Sequence, residues 1–354
     1  MRQNTLHEMY FNLINKHSKL NPLNLFLYIL STIYCAVIVL RRKFNLKASL
    51  ITIKQPVISV GNLTTGGTGK TPVVIKIAEA FSTRKLTAVL TRGYKRKTSM
   101  PIIVDQDDIP ETDAVGDEPY LIKQRIPGII LGVSKNRAHI AQEISNAELF
   151  ILDDGFQYLK IKKDLNIILI DALNPFGNEY CLPRGILREP VSSLKYADII
   201  IVTKSNMINQ GRLDDILNRL KSLFSGHVFT SEYAPTCLKS FNDFSEVLPL
   251  TFLTKKNTVL ISALANPYSF EKTVSALGAN IIENIVFPDH HSYTEKDVNK
   301  INNFKKDTIR LTTEKDAVKL ISFQKLLQDT PLYILQMDTL MPEALEYITA
   351  NYNS

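Results

Sequence analysis

Residues 61–71 read GNLTTGGTGKT, and these are residue types that hold phosphate. Gly66, Gly67 and Gly69 let successive backbone N–H groups turn inward around phosphate oxygens, and a following helix N-terminus adds positive potential. Lys70 is placed to reach β- and γ-phosphates, and Thr71 to set its hydroxyl on Mg²⁺. The stretch departs from the usual phosphate-loop pattern at Thr64, where glycine is expected five residues before Gly69. Thr65 stands where one subclass of ATPases carries a second lysine, which disfavours that subclass. Further on, Asp153 and Asp154 follow the apolar run LFIL, a position from which carboxylates hold Mg²⁺ directly or through water. An alcohol acceptor must lose a proton as it attacks phosphorus, and Asp117, Glu118 and His290 are the groups able to take it.

Such residues need rigid elements to bring them together. Residues 56–60 form an apolar β-branched run, the glycine turn follows, and Pro72 opens a helix with Val73, Val74, Ile77, Ala80 and Phe81 at helical spacing. Further strands are predicted at 87–91, 102–104, 128–133, 149–152, 165–170, 199–203 and 227–233. Helices are predicted near 136 and over 213–224, and 115–122 reads as a loop. Strands alternating with helices imply a mostly parallel sheet covered by helices on both faces. The basic run at 92–97 leaves the strand at 87–91 on the edge where open α/β sheets bind ligands. Past residue 235 the pattern restarts, with strands at 258–262, 281–287, 309–312 and 332–335 and helices at 268–277, 295–304 and 315–320. The expectation is a phosphate-loop NTPase-like core over 49–235, a smaller α/β lobe over 236–354, and a ligand cleft between them.

The 354 residues are 45% hydrophobic, enough for two sizeable cores, and the net charge of +7 suits an anionic partner without choosing one. The three cysteines form no CxxC pair, which points to a reducing compartment and no zinc site. Residues 20–40 contain no charged side chain, and Arg41, Arg42 and Lys43 follow directly. As a helix this stretch rises about 30 Å, the thickness of a hydrocarbon core. Asn21, Pro22 and Asn24 weaken its start, so shallow insertion and a full span both stay open. No small-residue cleavage site follows, which argues against a signal peptide. The expectation is a membrane-associating segment over 1–48, with the basic cluster at anionic headgroups on the cytoplasmic side.

The blocks GNLTTGGTGKTP, TRGYKRK, VGDEP, DDGFQ, LPRGILREP, FPDHHSY and TTEKDAVKL stand in this order along the chain. In that order they resemble the tetraacyldisaccharide 4′-kinase family, the lipid A 4′-kinases of Gram-negative bacteria, which share the non-glycine residue at Thr64. The resemblance runs from the apolar segment to about residue 335. It implies ATP-dependent phosphorylation of the 4′-hydroxyl of a tetraacyldisaccharide 1-phosphate, giving lipid IVA at the cytoplasmic face of the inner membrane. No nucleic-acid partner is expected. Carried over by position, Thr64, Thr65, Gly66, Gly67, Thr68, Gly69, Lys70 and Thr71 bind ATP. Thr71, Asp153, Asp154 and Glu189 serve Mg²⁺. Asp117 resembles the catalytic base, paired with His290, and Lys70 joins them on the phosphates. Asn62, Arg92, Arg137 and Gln157 resemble the residues that hold the sugar and its 1-phosphate. The family usually continues DDGFQ with His, whereas this chain has Tyr158.

From the residues alone, a membrane-peripheral NTPase switch is the rival reading, with VTKSN at 202–206 as a partial match to a guanine-reading TKxD that ends in Asn206. A non-enzymatic membrane scaffold conflicts with the glycine loop and the Asp pair occurring together. Turnover of ATP with and without the acylated disaccharide separates these readings.

Overall fold

The apolar runs of the first half become β1 (Val57–Asn62), β2 (Thr87–Thr91), β3 (Ile102–Val104), β4 (Ile130–Val133), β5 (Leu149–Asp153), β6 (Leu165–Asp171), β7 (Ile199–Thr203) and β8 (His227–Thr230). They lie side by side in the order β3-β4-β2-β5-β1-β6-β7-β8. Every pair is parallel except β3 on β4. Strands β1, β2, β4, β5 and β7 are buried at every residue, as expected for a parallel sheet covered on both faces. The computed structural model describes residues 22–45, 50–94, 96–264, 267–289, 291–305 and 307–352. The helices of this half include α1 (Pro22–Asn45), α2 (Lys70–Ser82), α3 (Asp117–Arg125), α4 (Arg137–Glu143) and α5 (Gln210–Leu223).

The second sheet takes β9 (Glu232–Ser240), β10 (Val247–Leu248), β11 (Asn257–Ser262), β12 (Asn280–Val286), β13 (Ile309–Thr313) and β14 (Leu332–Leu340), in the order β10-β9-β14-β13-β11-β12. Its helices include α6 (Pro267–Ala276), α7 (Glu295–Asn302) and α8 (Glu314–Leu320). The last helix, α9 (Pro342–Tyr352), leaves this lobe. Met341, Ala344 and Ile348 are buried in the core that contains Val73, Ile77 and Phe81 of α2. Helix α9, inside the span 236–354 expected for the second lobe, thus finds its apolar partners in the core of the first sheet.

Two further expectations change. The stretch 115–122, read as a loop, contains the start of α3. Asp117 and Glu118 sit in its first turn, where negative charge meets the positive helix end, Pro119 is tolerated there, and Tyr120, Leu121 and Ile122 are buried. In the basic cluster after the apolar segment, Arg41 and Lys43 are exposed but Arg42 is turned into the protein. It cannot reach headgroups.

The lobes are joined by a buried charge cluster. Arg125, at the last turn of α3, donates from Nη2 to Asp338 of β14 and lies 3.6 Å from Glu314 at the start of α8. Its side chain is 7% exposed, and those of both acids 18%. Burial would depress the Arg125 guanidinium, but Glu314 and Asp338 outweigh it and raise its affinity for the proton. Lys315 lies 3.7 Å from Glu118 at the other end of α3. Removing one partner of a buried ion pair leaves the rest uncompensated. Arg125→Ala should therefore lose about 3–5 kcal/mol of unfolding free energy in urea titrations. Replacing all three groups by Met, Gln and Asn should recover most of the loss.

Candidate functional site

The site gathers at the carboxyl ends of β1, β5 and β2, with β6 and β7 completing the edge. Val60 is level with Asp153 across β1 and β5, so the loop leaving β1 faces the two acids that end β5. Gly61 lies against the DDGFQ turn so closely that a Cβ there would meet the Cβ of Phe156 at 2.5 Å. Gly69 has φ 82° at the entry to α2, a conformation in which any Cβ is strained. Around Gly66 and Gly67 a Cβ would meet nothing within 4 Å, so the loop borders open space. Lys70 and Thr71 then open α2, with Thr71 buried.

Lys70 Nζ donates to Asn62 Oδ1 at 3.2 Å and lies 3.7 Å from Asp154 Oδ1. Asn62 in turn donates to the Thr64 carbonyl at 2.8 Å, and Gln157 donates to the Asn62 carbonyl at 2.9 Å. Both amides thus brace the base of the loop. From the far side, Thr203 donates to the Thr68 carbonyl at 3.0 Å, and Lys204 donates to the Gly67 carbonyl at 2.9 Å and pairs with Asp171 at 2.5 Å. Lys204 belongs to VTKSN, and its side chain holds the loop backbone.

The adjacent acids differ. Asp154 has φ 48° and is gripped by Arg188 at 2.9, 3.2 and 3.1 Å. Burial pushes its carboxyl up, but the Arg188 fork and Lys70 win and hold it below the usual range. Asp153 is 5% exposed and accepts from the Thr91 hydroxyl at 3.1 Å. Burial, then the fields of Glu118 and Asp154, push it up to about 6 against the pull of Lys70. Asp117 is half-buried in the first turn of α3.

A divalent cation fits this donor set. Asp153 is a buried carboxylate whose side-chain hydrogen bond is to the Thr91 hydroxyl. Among the described residues no group of three or more His, Cys, Asp or Glu forms a full cage. Glu189 is 2% exposed, and its Oε1 accepts from Arg42 at 2.7 Å while Oε2 has no partner among the described residues.

Arg137 was expected to reach substrate, but it is 6% exposed and donates to the Asp153 carbonyl at 2.5 Å and the Asp154 carbonyl at 3.2 Å. It is bound to the backbone of the Asp pair. Arg92 is exposed beside the site. Tyr158 packs its ring on the Arg137 guanidinium at 4.3 Å, and its oxygen accepts from the Ala138 N–H at 2.8 Å. Tyr158 thus supports Arg137 and the start of α4. His290 lies outside the described residues, as does Lys95. His291 sits 3.0 Å from Asp297 and stacks on Phe287, a packing role in the second lobe. Arg188 has no role of its own in the sequence reading, Arg42 is read there only as part of the headgroup cluster, and Lys204 only within VTKSN. Arg188 stood in plain view in LPRGILREP, whereas the roles of the other two depend on contacts distant in sequence.

The model of the Tetraacyldisaccharide-1-P 4′-kinase family matches residues 23–352. The chain belongs to this family. A tetraacyldisaccharide 4′-kinase of Halothermothrix orenii is 36% identical over 316 residues, covering 83% of this chain and 82% of the relative. One from Syntrophus aciditrophicus is 34% identical over 348 residues, covering 93% and 92%. A crystal structure of LpxK from Aquifex aeolicus in complex with ATP is similar with a TM-score of 0.74 and 29% identity, covering 94% of this chain and 99% of that one. Family membership agrees with the resemblance in the seven sequence blocks, and it assigns no role to any single residue.

The raised proton affinity of Asp153 has a definite sign. Its folded value, about 6, lies above the ordinary 3.8, so its contribution to stability is fully present below 3.8 and is lost as pH rises through 6. Without nucleotide and metal, Asp153→Asn should melt above the parent protein at pH 7.5. The difference should vanish towards pH 4, and a full swing is on the order of 3 kcal/mol. Thermal melts across pH in EDTA check this. A gain that does not change with pH would contradict the assignment.

Proposed function

We propose that the glycine loop, Lys70 and the two acids at the end of β5 form the ATP site of a kinase that acts on a lipid. As a member of its family, the chain is an ATP-dependent kinase of lipid A biosynthesis that phosphorylates the 4′-hydroxyl of tetraacyldisaccharide 1-phosphate to form lipid IVA. The observation that carries the site assignment is the open loop around Gly66 and Gly67, with Lys70 anchored between Asn62 and Asp154.

The reaction forms a bond from the 4′-oxygen to the γ-phosphorus and breaks the bond from that phosphorus to the β-phosphate bridging oxygen. The loop amides of residues 64–71 and Lys70 hold the phosphates and meet the charge that develops on the transferred group. Asp117 takes the hydroxyl proton, and His290 is its orienting partner. Thr71 and Asp153 would hold Mg²⁺, which when bound would neutralise phosphate charge. Asp154 and Arg188 fix the position of Lys70. Arg92 is the exposed cation available to the acceptor's 1-phosphate. Asn62, Gln157 and Arg137 act through the loop and the acid turn.

The exposed apolar face of α1, with Leu25, Phe26, Ile29, Ile33, Val37 and Leu40, supports contact with the inner membrane at its cytoplasmic face. The helix is long and apolar enough to cross a bilayer by length and composition.

The direct test is transfer of radiolabel from ATP to the disaccharide 1-phosphate in detergent, read by thin-layer chromatography. Label appearing only as inorganic phosphate would refute the reading. Lys70→Ala should lose at least two orders of magnitude in turnover, since a preorganised charge contact to the reacting group is worth on the order of 3–4 kcal/mol. Retention of a tenth of the parent rate would move the nucleotide elsewhere. Asp117→Ala and His290→Ala should each lower turnover strongly with little change in ATP affinity. The double variant should be hardly worse than the worse single one. Additive effects would dissolve the pairing.

A further inference from the structure

Helix α1 is apolar, yet its two buried residues are Ser31 and Arg42. Eleven residues make three turns to within about 20°, so both lie on one face. Between them on that face are the half-buried Tyr34, Cys35 and Ile38. The docked stripe is thus more polar than the face left outside. A pure anchor would have no use for such a stripe.

Each polar member of the stripe bonds to one segment, 181–189, or to the acid turn behind it. Ser31 Oγ donates to the Cys181 carbonyl at 2.7 Å, and the Tyr34 hydroxyl donates to the Arg188 carbonyl at 3.2 Å. Arg42 Nη2 donates to Glu189 Oε1 at 2.7 Å and to the Phe156 carbonyl at 3.0 Å. Its guanidinium lies 4.3 Å from the ring centre of Phe156 and 4.7 Å from that of Tyr196. The opposite edge of the same segment is bonded to the glycine loop. The Thr65 N–H donates to the Ile186 carbonyl at 2.7 Å, the Arg188 N–H donates to the Leu63 carbonyl at 2.6 Å, and Thr64 bridges Leu187. From within it, Arg188 grips Asp154, which neighbours Lys70.

We propose that Arg42 is a positioning residue for nucleotide binding. Through Glu189 it seats the 181–189 segment, so that docking of the membrane helix sets the loop, Arg188 and Asp154 in their ATP-ready arrangement. This rests on the reading that the loop at 64–71 holds ATP. The segment is a splint with the helix on one side and the phosphate loop on the other. Arg42 and Glu189 are the buried charge pair that fixes it, and losing the cation would leave Glu189 buried without a counter-charge. Access to the bilayer and competence to bind nucleotide are then properties of one docked helix.

The test measures ATP affinity of the full chain in detergent with EDTA present, which removes any part Glu189 plays through Mg²⁺. Arg42→Met keeps the length and apolar body of the side chain and removes its charge. It should weaken ATP binding by about tenfold or more, the scale found when a group that orients a contacting residue is lost. Arg42→Lys, which keeps a cation for Glu189, should recover much of that loss. Co-sedimentation of Arg42→Met with anionic vesicles should match the parent protein, because the outer face of α1 is untouched. A folded Arg42→Met that binds ATP like the parent overturns the proposal, as does one that loses vesicle binding alone. Should Arg42→Met not fold, Tyr34→Phe decides, since it removes one hydroxyl bonded to the Arg188 carbonyl. It should weaken ATP binding by about two- to fivefold, as expected for one lost hydrogen bond, and unchanged affinity refutes the coupling. Lys70→Ala run beside them separates the two readings. If it too binds ATP normally, the loop assignment itself falls.

Discussion

Two neighbouring carboxylates at the buried end of one strand cannot both keep a full charge without separate compensation. The arrangement around β5 answers that constraint. Asp154 receives the forked Arg188 and the nearby Lys70, which hold it ionised. Asp153 receives a threonine hydroxyl and retains an unusual affinity for a proton. One acid is thereby a fixed part of the scaffold, and the other is free to exchange its proton for a cation. The peptide carbonyls of the same turn are also taken up, by Arg137 and by Lys163 at 2.6 Å from the Gly155 carbonyl. Burial, then Arg42 and Arg137, lower the Lys163 ammonium to about 7, so the turn is wrapped by cations in an environment poor in water.

How much of this the sequence disclosed depended on the range of the interaction. The glycine loop, the Asp pair and the alternation of strands with helices are local patterns, and the parallel sheet follows from them. The segment 115–122 was harder because Gly116 and Pro119 look like loop punctuation, while the burial of Tyr120 to Ile122 that makes it a helix comes from the core shared with α2 and the first sheet. Strand β9 was mostly missed since its residues are largely half-exposed and lack a clean alternation.

Among candidate site residues, type was easier to read than orientation. Arg137 and Arg92 are both arginines near strand ends, yet one is folded under the acid turn and the other faces solvent. Asn62 and Gln157, which the family resemblance assigns to the sugar, are hydrogen-bonded beneath the loop in this structure. The basic cluster at 41–43 illustrates the same point. Its middle member is consumed by a glutamate 147 positions away, a pairing that no local rule could suggest.

The path of the chain between lobes carries a mechanical consequence. It leaves the first sheet just before Glu232 and returns just after Leu340, and these residues are paired neighbours in an antiparallel ladder, with Tyr233 beside Thr339. The two crossings are therefore a single ribbon. A two-stranded ribbon yields to bending across its face and stiffly opposes sliding or twisting of one strand past the other, because those motions break ladder bonds. Bending across the face of that ribbon is thus the easiest motion of the second lobe against the first. With Arg125 holding Asp338 on the ribbon itself and Glu314 beside it, the charge cluster stiffens the very place about which such bending would turn.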